Sequence, residues 1–343
     1  MSRMNLFNPQ SAIRDPQSTL TRRCFLRATT AAGAAIAGGV ALGGCSGTDA
    51  PAAKLRARPH PMADAWKGRI GLARGGDDPA RNVRAAIEKL CGPDGARTFV
   101  RPGDLVVIKP NIGWPQVPEM GATVDPSVVR ALVRLCREAG AGTVKVFDNT
   151  VAASSKCYEF SGIEAAAREA GAEAATCAPH RFRTLKFDDP RVKRIAEWPI
   201  YADALAADCL INVAAAKVHN LTYVTLCMKN LMGVLGGDRG KFHQEIDQNL
   251  ADLAVMIRPT LSVLDATRVL IAGGPSGGRR DQAVPGRTIV CGTSAVTVDA
   301  WAADPANLPW PRGHHDLASV GHIALGAAAG LGMADPARIE VVA

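Results

Sequence analysis

The side chains best suited to chemistry are lysines, histidines, asparagines and aspartates that directly follow strand-like apolar runs. One run ends in Ile108-Lys109-Pro110-Asn111, and a second is followed by Asp148-Asn149. Lys217 and His219 follow a third, Asp265 ends a fourth, and Asp299 sits on a helix entered through Gly292, Thr293 and Ser294. Loops at the carboxyl ends of parallel strands converge, and helix amides there point inward, so these distant residues are expected around one ligand. Lys109, Lys217 and Lys229 would supply positive charge and Asn111 and Asn230 orienting hydrogen bonds. Asp148, Asp265 and Asp299 would supply metal or amine contacts. His219 and His243, with Lys229, are the candidates for proton transfer, because imidazole changes charge near neutral pH.

The densest stretch runs from Lys217 to Asn230. Its apolar spacing predicts a helix over 222–235, stopped by Gly236 and Gly237. On that helix Thr225 and Lys229 share a face, and Asn230 is rotated by about a hundred degrees. Thr222 or Asn220 would cap it, so amides, the Thr225 hydroxyl and an ammonium would surround an anion. Leu226, Met228, Leu231 and Met232 leave little polar face for a solvated Lys229. Gly273 and Gly274 open a glycine-rich loop that lets backbone approach a cofactor, although it matches neither a dinucleotide fingerprint nor a P-loop. His314-His315 lies in a loop outside the strand-end set. With no H-E-x-x-H spacing, a metal site would have to be assembled from separate loops, and no G-x-S-x-G elbow occurs.

The elements that must position these residues alternate from about Arg69 onward. Strands are expected at 105–108, 143–147, 210–213, 261–264 and 288–291, and helices at 126–139, 162–170, 248–256 and 295–303, besides the one at 222–235. This is the pattern of an α/β fold, with mostly parallel sheet flanked by helices. One body and two lobes divided near residue 200 both fit the composition.

The N-terminus carries an address. Arg22 and Arg23 precede Phe25-Leu26, and an uncharged Ala/Gly-rich stretch leads to Leu42-Gly43-Gly44-Cys45. This order matches a twin-arginine signal peptide over 1–45. Its end resembles the lipobox, with Cys45 as the lipidated residue. Residues 46–65 would be a flexible tether and 66–343 the functional domain. The expected partners are therefore the twin-arginine translocase and the lipoprotein-processing machinery. The expected place is the periplasmic side of a bacterial membrane, held by the lipid anchor. Residues 1–44 hold five arginines against one aspartate, so +4 of the net charge of +8 belongs to the signal. The remaining +4 is too mild, and too free of aromatic-interleaved basic runs, for nucleic-acid binding. Beyond Cys24 and Cys45, seven cysteines remain, none in a C-x-x-C or cluster spacing. No iron–sulfur cluster is expected from this chain alone.

Taken together, Ile108-Lys109-Pro110-Asn111, Lys217-Val218-His219, Thr225, Lys229-Asn230-Leu231-Met232-Gly233, His243, Leu264-Asp265-Ala266, Gly273-Gly274-Pro275 and Val298-Asp299-Ala300 resemble the domain of unknown function 362 family. The resemblance runs from about Asp104 to the C-terminus. Members of that family often carry a ferredoxin-type iron–sulfur module, which implies a redox setting. The four-cysteine cluster motifs are missing here, a departure that tells against electron transfer by this chain, and a redox partner protein is among the expected partners. The leading expectation is a tethered protein that binds an anionic small molecule or an unidentified cofactor, with redox or acid–base chemistry. Alternatives are a non-catalytic binding or assembly lipoprotein, and a metallohydrolase built from His219, His243 and the aspartates.

Overall fold

The computed structural model describes residues 53–343. The 1–45 signal reading, with Arg22, Arg23 and Cys45, lies outside the described residues.

Asp-Pro pairs start the first two long helices. Asp78 caps α1 (Pro79–Cys91) by accepting from Ala80 N and Arg81 N, and Asp125 caps α2 (Pro126–Glu138) by accepting from Ser127 N. Proline at the first helical position gives up an amide that would go unused. Further helices are α3 (Ser154–Ser161), α4 (Ile163–Glu169), α5 (Ala202–Ala206), α6 (Cys227–Asn230), α7 (Arg239–Phe242), α8 (Ile246–Met256), α9 (Ala295–Ala303) and α10 (Gly321–Ala328). The strands are β1 (Arg69–Arg74), β2 (Leu105–Pro110), β3 (Thr143–Val146), β4 (Glu173–Ala174), β5 (Phe182–Lys186), β6 (Glu197–Tyr201), β7 (Cys209–His219), β8 (Tyr223–Thr225), β9 (Leu261–Leu270), β10 (Ala283–Gly292) and β11 (Glu340–Val342).

Nine strands form one sheet in the order β11-β1-β10-β9-β7-β2-β3-β4, with β8 folded back on β7, and β5 pairs β6 separately. The sheet is mixed and mostly parallel: β10 and β8 run against the rest. Helices cover both faces, and alternate side chains of each strand feed separate cores. Leu210, Ala214, Ala216 and Val218 of β7 enter one core; Cys209, Ile211, Val213 and Ala215 enter the other. Burial on both faces explains why β7 runs on to His219 without polar alternation. Its alanines, poor strand formers, hid that length from a reading that stopped at residue 213.

Two expectations are corrected here. The described body is one compact unit and does not divide near residue 200. Residues 53–65 are docked and not a free tether. Arg56 N donates to Leu205 O (2.9 Å), Arg58 N to Asp208 O (3.0 Å) and Thr260 Oγ1 to Arg58 O (2.6 Å). Arg58 also pairs with Asp104. His60 is buried against Trp66 and Phe99. Prolines in this stretch suggested flexibility, but its backbone groups find fixed partners. The seven described cysteines are all unpaired thiols, with Cys136, Cys209 and Cys291 buried.

Candidate functional site

Strands β2, β3 and β7 are parallel neighbours, so Lys109, Asp148 and Lys217-Val218-His219 leave the sheet at one edge. There they surround a cavity of about 390 Å³, which Asn111, Thr225, Lys229, Asn230 and His243 also line. One amide relay ties the floor together. Lys217 Nζ donates to Asn111 Oδ1 (3.0 Å), and Asn111 Nδ2 donates to Asn230 Oδ1 (3.1 Å). The same Asn230 oxygen accepts from Lys109 Nζ at 2.7 Å. Asn230 Nδ2 in turn donates to Asn212 Oδ1 and Val213 O, anchoring the relay to β7.

The cations of this wall are not equivalent. Lys109 Nζ donates to Asn230 Oδ1 and Pro110 O (3.0 Å), and it forms an ion pair with Asp148 Oδ1 at 2.8 Å. Asp148 Oδ2 accepts from Ile112 N at 2.7 Å. Desolvation still holds the Lys109 ammonium below the usual lysine range, partly offset by Asp148. Lys217 has only neutral acceptors, Asn111 Oδ1 and Ala122 O (2.6 Å), and burial followed by the nearby Lys229 charge lowers it to about 7. Lys229 has the Met232 thioether at 3.6 Å, and burial followed by Arg239 lowers it to about 8. Among the described residues no carboxylate pairs with Lys217, Lys229 or Arg239. The buried Thr225 Oγ1 has no hydrogen-bond partner.

The two histidines leave the same ring nitrogen, Nε2, free but differ in tautomer. His219 Nδ1 accepts from Leu221 N (3.0 Å), which places its proton on Nε2. Burial, then Lys229 and Lys217, lower its pKa to about 3, so it stays a neutral donor. His243 Nδ1 lies 2.7 Å from Arg239 O, an acceptor only, so this nitrogen carries the proton and Nε2 is left with a lone pair. The pair therefore offers one hydrogen-bond donor and one proton acceptor.

Several expected roles change. Instead of one helix over 222–235, Tyr223–Thr225 pairs antiparallel with Lys217–His219, with Tyr223 at φ 59, and only Cys227–Asn230 is α-helical before a 3-10 turn. The β-branched Val224 and Thr225 favour that hairpin, which sets Thr225 directly opposite Lys217. Neither Thr222 nor Asn220 caps a helix; Thr222 Oγ1 donates to Val224 O, and Asp299 takes the amides of Cys227 and Met228, each at 2.7 Å. Asp299 is thus a cap, reached from the opposite sheet edge because β10 is reversed. Asp265 accepts from Asp125 N and Thr267 N away from the cavity. Burial raises Asp265 to about 6 and Asp299 to about 7. Asp148, Asp265 and Asp299 therefore do not converge. Among the described residues no group of three His, Cys, Asp or Glu is placed to hold a metal ion. Of the glycine-rich loop, Pro275 lines the cavity, whereas Gly273 and Gly274 do not. Gly274 packs so closely on the β7 backbone that an added Cβ would stand 2.0 Å from Val218 O. His314 and His315 bond to each other, and His315 to Ala303 O, away from the site.

Arg239, Trp114 and Val151 also line the cavity and were missed in the sequence, and Met232 and Gly233, read there only as motif neighbours of Lys229, line it as well. Arg239 Nη1 and Nη2 donate to the carbonyls of Asn149 (2.6 Å) and Thr150 (2.5 Å), holding the guanidinium at the rim. The signal for it was Asp238 after a glycine pair, which caps α7 through Gly240 N. Gly233 is required by close approach: a Cβ there would lie 1.9 Å from Asp148 Oδ1 and 2.2 Å from Lys109 Cε.

A mixed, mostly parallel sheet covered by helices, with a cation-rich cavity at the strand ends, defines an α/β protein. Residues 106–304, more than half of the chain, match the family described as Domain of unknown function (DUF362), and the chain belongs to that family. A thylakoid-associated protein of Synechocystis sp. is 27% identical over 254 residues, which cover 70% of this chain and 76% of that protein. Among solved structures, the lactate racemase apoprotein from Thermoanaerobacterium thermosaccharolyticum aligns with a TM-score of 0.41 at 10% identity, over 60% of this chain and 51% of that one. A Thermotoga maritima protein aligns with a TM-score of 0.29 at 15% identity, over 56% of this chain and 51% of that one. The chain thus spans about half the length of these solved structures.

Proposed function

We propose that the cavity binds a small organic oxyanion or an anionic cofactor, and that His219 and His243 serve acid–base chemistry on it. The carrying observation is that Lys217, Lys229 and Arg239 face one cavity without a carboxylate partner, beside an unpartnered Thr225 hydroxyl. Burying cations without counter-charge is costly, and a bound anion supplies the missing partner. Lys109 and Asp148 set the frame, and the amide relay holds Lys217 in place.

Calorimetric titration with oxalate and with inorganic phosphate tests this. Lys217 and Lys229 titrate near 7 and 8 when the cavity is free, and a bound anion raises both. Above about pH 7, where the free lysines are partly neutral, oxalate binding therefore takes up protons. Affinity is highest and flat below about pH 7, and falls roughly tenfold per pH unit for each lysine above its free value. Binding without proton uptake above about pH 7, or no binding of either anion, refutes the assignment.

The proposal extends to place. Arg22 and Arg23 address the chain to the twin-arginine translocase, and a lipid on Cys45 holds the domain at the periplasmic face of a membrane, where a redox partner would meet it. The name of the thylakoid-associated relative supports a membrane setting. Changing both arginines to lysine is expected to leave precursor in the cytoplasm, and Cys45→Ala to abolish labelling by a radioactive fatty acid. Wild-type export and labelling of these variants rule the address out.

A further inference from the structure

Lys229 is the most isolated cation of the cavity wall. It is 8% exposed, and its Nζ touches only a thioether, a weak and uncharged acceptor. Lys217, by contrast, has two of its protons committed to Asn111 Oδ1 and Ala122 O, so its nitrogen is held in place. Nothing in the structure ties up the Lys229 nitrogen, and its lone pair is free to face the cavity whenever the amine is neutral. Donors of other kinds surround it: the Thr225 hydroxyl, 4% exposed and unpartnered, the His219 Nε2–H, and the rim guanidinium of Arg239.

We propose that Lys229 is a Schiff-base nucleophile and that the cavity takes a small 2-oxo acid, a carbonyl carbon joined directly to a carboxylate. This rests on the oxyanion reading above. Lys217 and Arg239 hold the carboxylate, and the Thr225 hydroxyl and His219 Nε2–H bond the carbonyl oxygen. A lysine desolvated beside other cations is the arrangement that keeps an amine nucleophilic near neutrality. Before a carboxylate binds, burial and Arg239 together leave roughly a tenth of Lys229 as free amine at pH 7. In the step, the Nζ lone pair forms a bond to the carbonyl carbon and the C=O pair moves onto oxygen, giving a carbinolamine. The oxygen then leaves as water with two protons from Nζ, and a C=N bond remains. Amine and carbonyl become imine and water, with no change of oxidation level and no further reactant. Trp114, Val151 and Met232 give the remaining wall an apolar face for the substrate body.

Reductive trapping tests the proposal on the full-length protein. Glyoxylate with cyanoborohydride at pH 7.5 is expected to alkylate Lys229 at least tenfold faster than any exposed lysine, read by peptide mass spectrometry. Saturating oxalate is expected to protect it, and uncharged propanal to show no preference for it. Oxalate binding by calorimetry, measured in parallel, separates the two levels. Oxalate binding with Lys229 unmodified, or with modification confined to exposed lysines, overturns the Schiff-base role and leaves the oxyanion site standing. Equal preference for propanal overturns the 2-oxo acid assignment. Neither binding nor modification overturns both.

Discussion

Asp148→Ala is expected to lose about 3–5 kcal/mol of folding stability in urea titrations, the usual cost of leaving one member of a buried ion pair alone. The pair is almost wholly buried, and Lys109 would keep two neutral acceptors but no counter-charge. The Ile112 amide would lose its acceptor as well. Adding Lys109→Met to Asp148→Ala is expected to recover at least half of the loss, because the stranded ammonium leaves with its partner. A single-variant loss under about 1 kcal/mol would show that the pair does not hold the floor of the cavity.

Lys229→Met, in the opposite sense, is expected to stabilise the fold by about 1–3 kcal/mol at pH 7 while weakening oxalate binding about 30-fold. Methionine keeps the length and apolar stem of the side chain and removes the charge that the folded state fails to pair. The sign with pH follows from the depressed folded-state value of about 8 against an ordinary value of 10.5. The unfolded chain binds more protons between these values, so wild-type stability rises with pH across that window. The advantage of the variant is therefore full below pH 8 and fades towards pH 10. A residue that costs stability and supplies affinity is the mark of a site kept for its ligand. A variant that is less stable, or that binds oxalate as well as wild type, would place Lys229 among purely structural residues.

Much of the cavity was legible because strand ends announce themselves. The run Leu105 to Ile108 is apolar and β-branched, so the polar Lys109-Pro110-Asn111 behind it had to mark an edge, and the parallel neighbours β3 and β7 deliver their own polar ends to the same place. Helix α9 was equally readable as an unbroken apolar run, and it is buried nearly all round, with Ser294 as its cap. The reading failed where one pattern served two structures. In 222–235 the apolar spacing suits a helix, but the hairpin wins because β8 satisfies the backbone of β7 directly. Asp265 and Asp299 failed for another reason: a carboxylate that caps backbone amides and one that faces a ligand look alike in sequence, and Asp265 lies inside β9 rather than at its end, whereas Asp299 follows the reversed β10. The Asp238 cap marked a helix start at Arg239 but not its place at the rim, because the carbonyls that hold it come from the distant loop at Asn149 and Thr150.

The position of β1 governs how the molecule can be made. Its two partners, β10 and β11, are drawn from 283–292 and 340–342, so the earliest strand of the sheet zips to the last ones. Such long-range pairing is slow to close and cannot begin until nearly the whole polypeptide has left the ribosome. The edge next to β9 stays unsealed during synthesis, and a chain that stalls before residue 283 has nothing to close it with. Completion of the sheet is thus a late step that waits for the last strands of the chain.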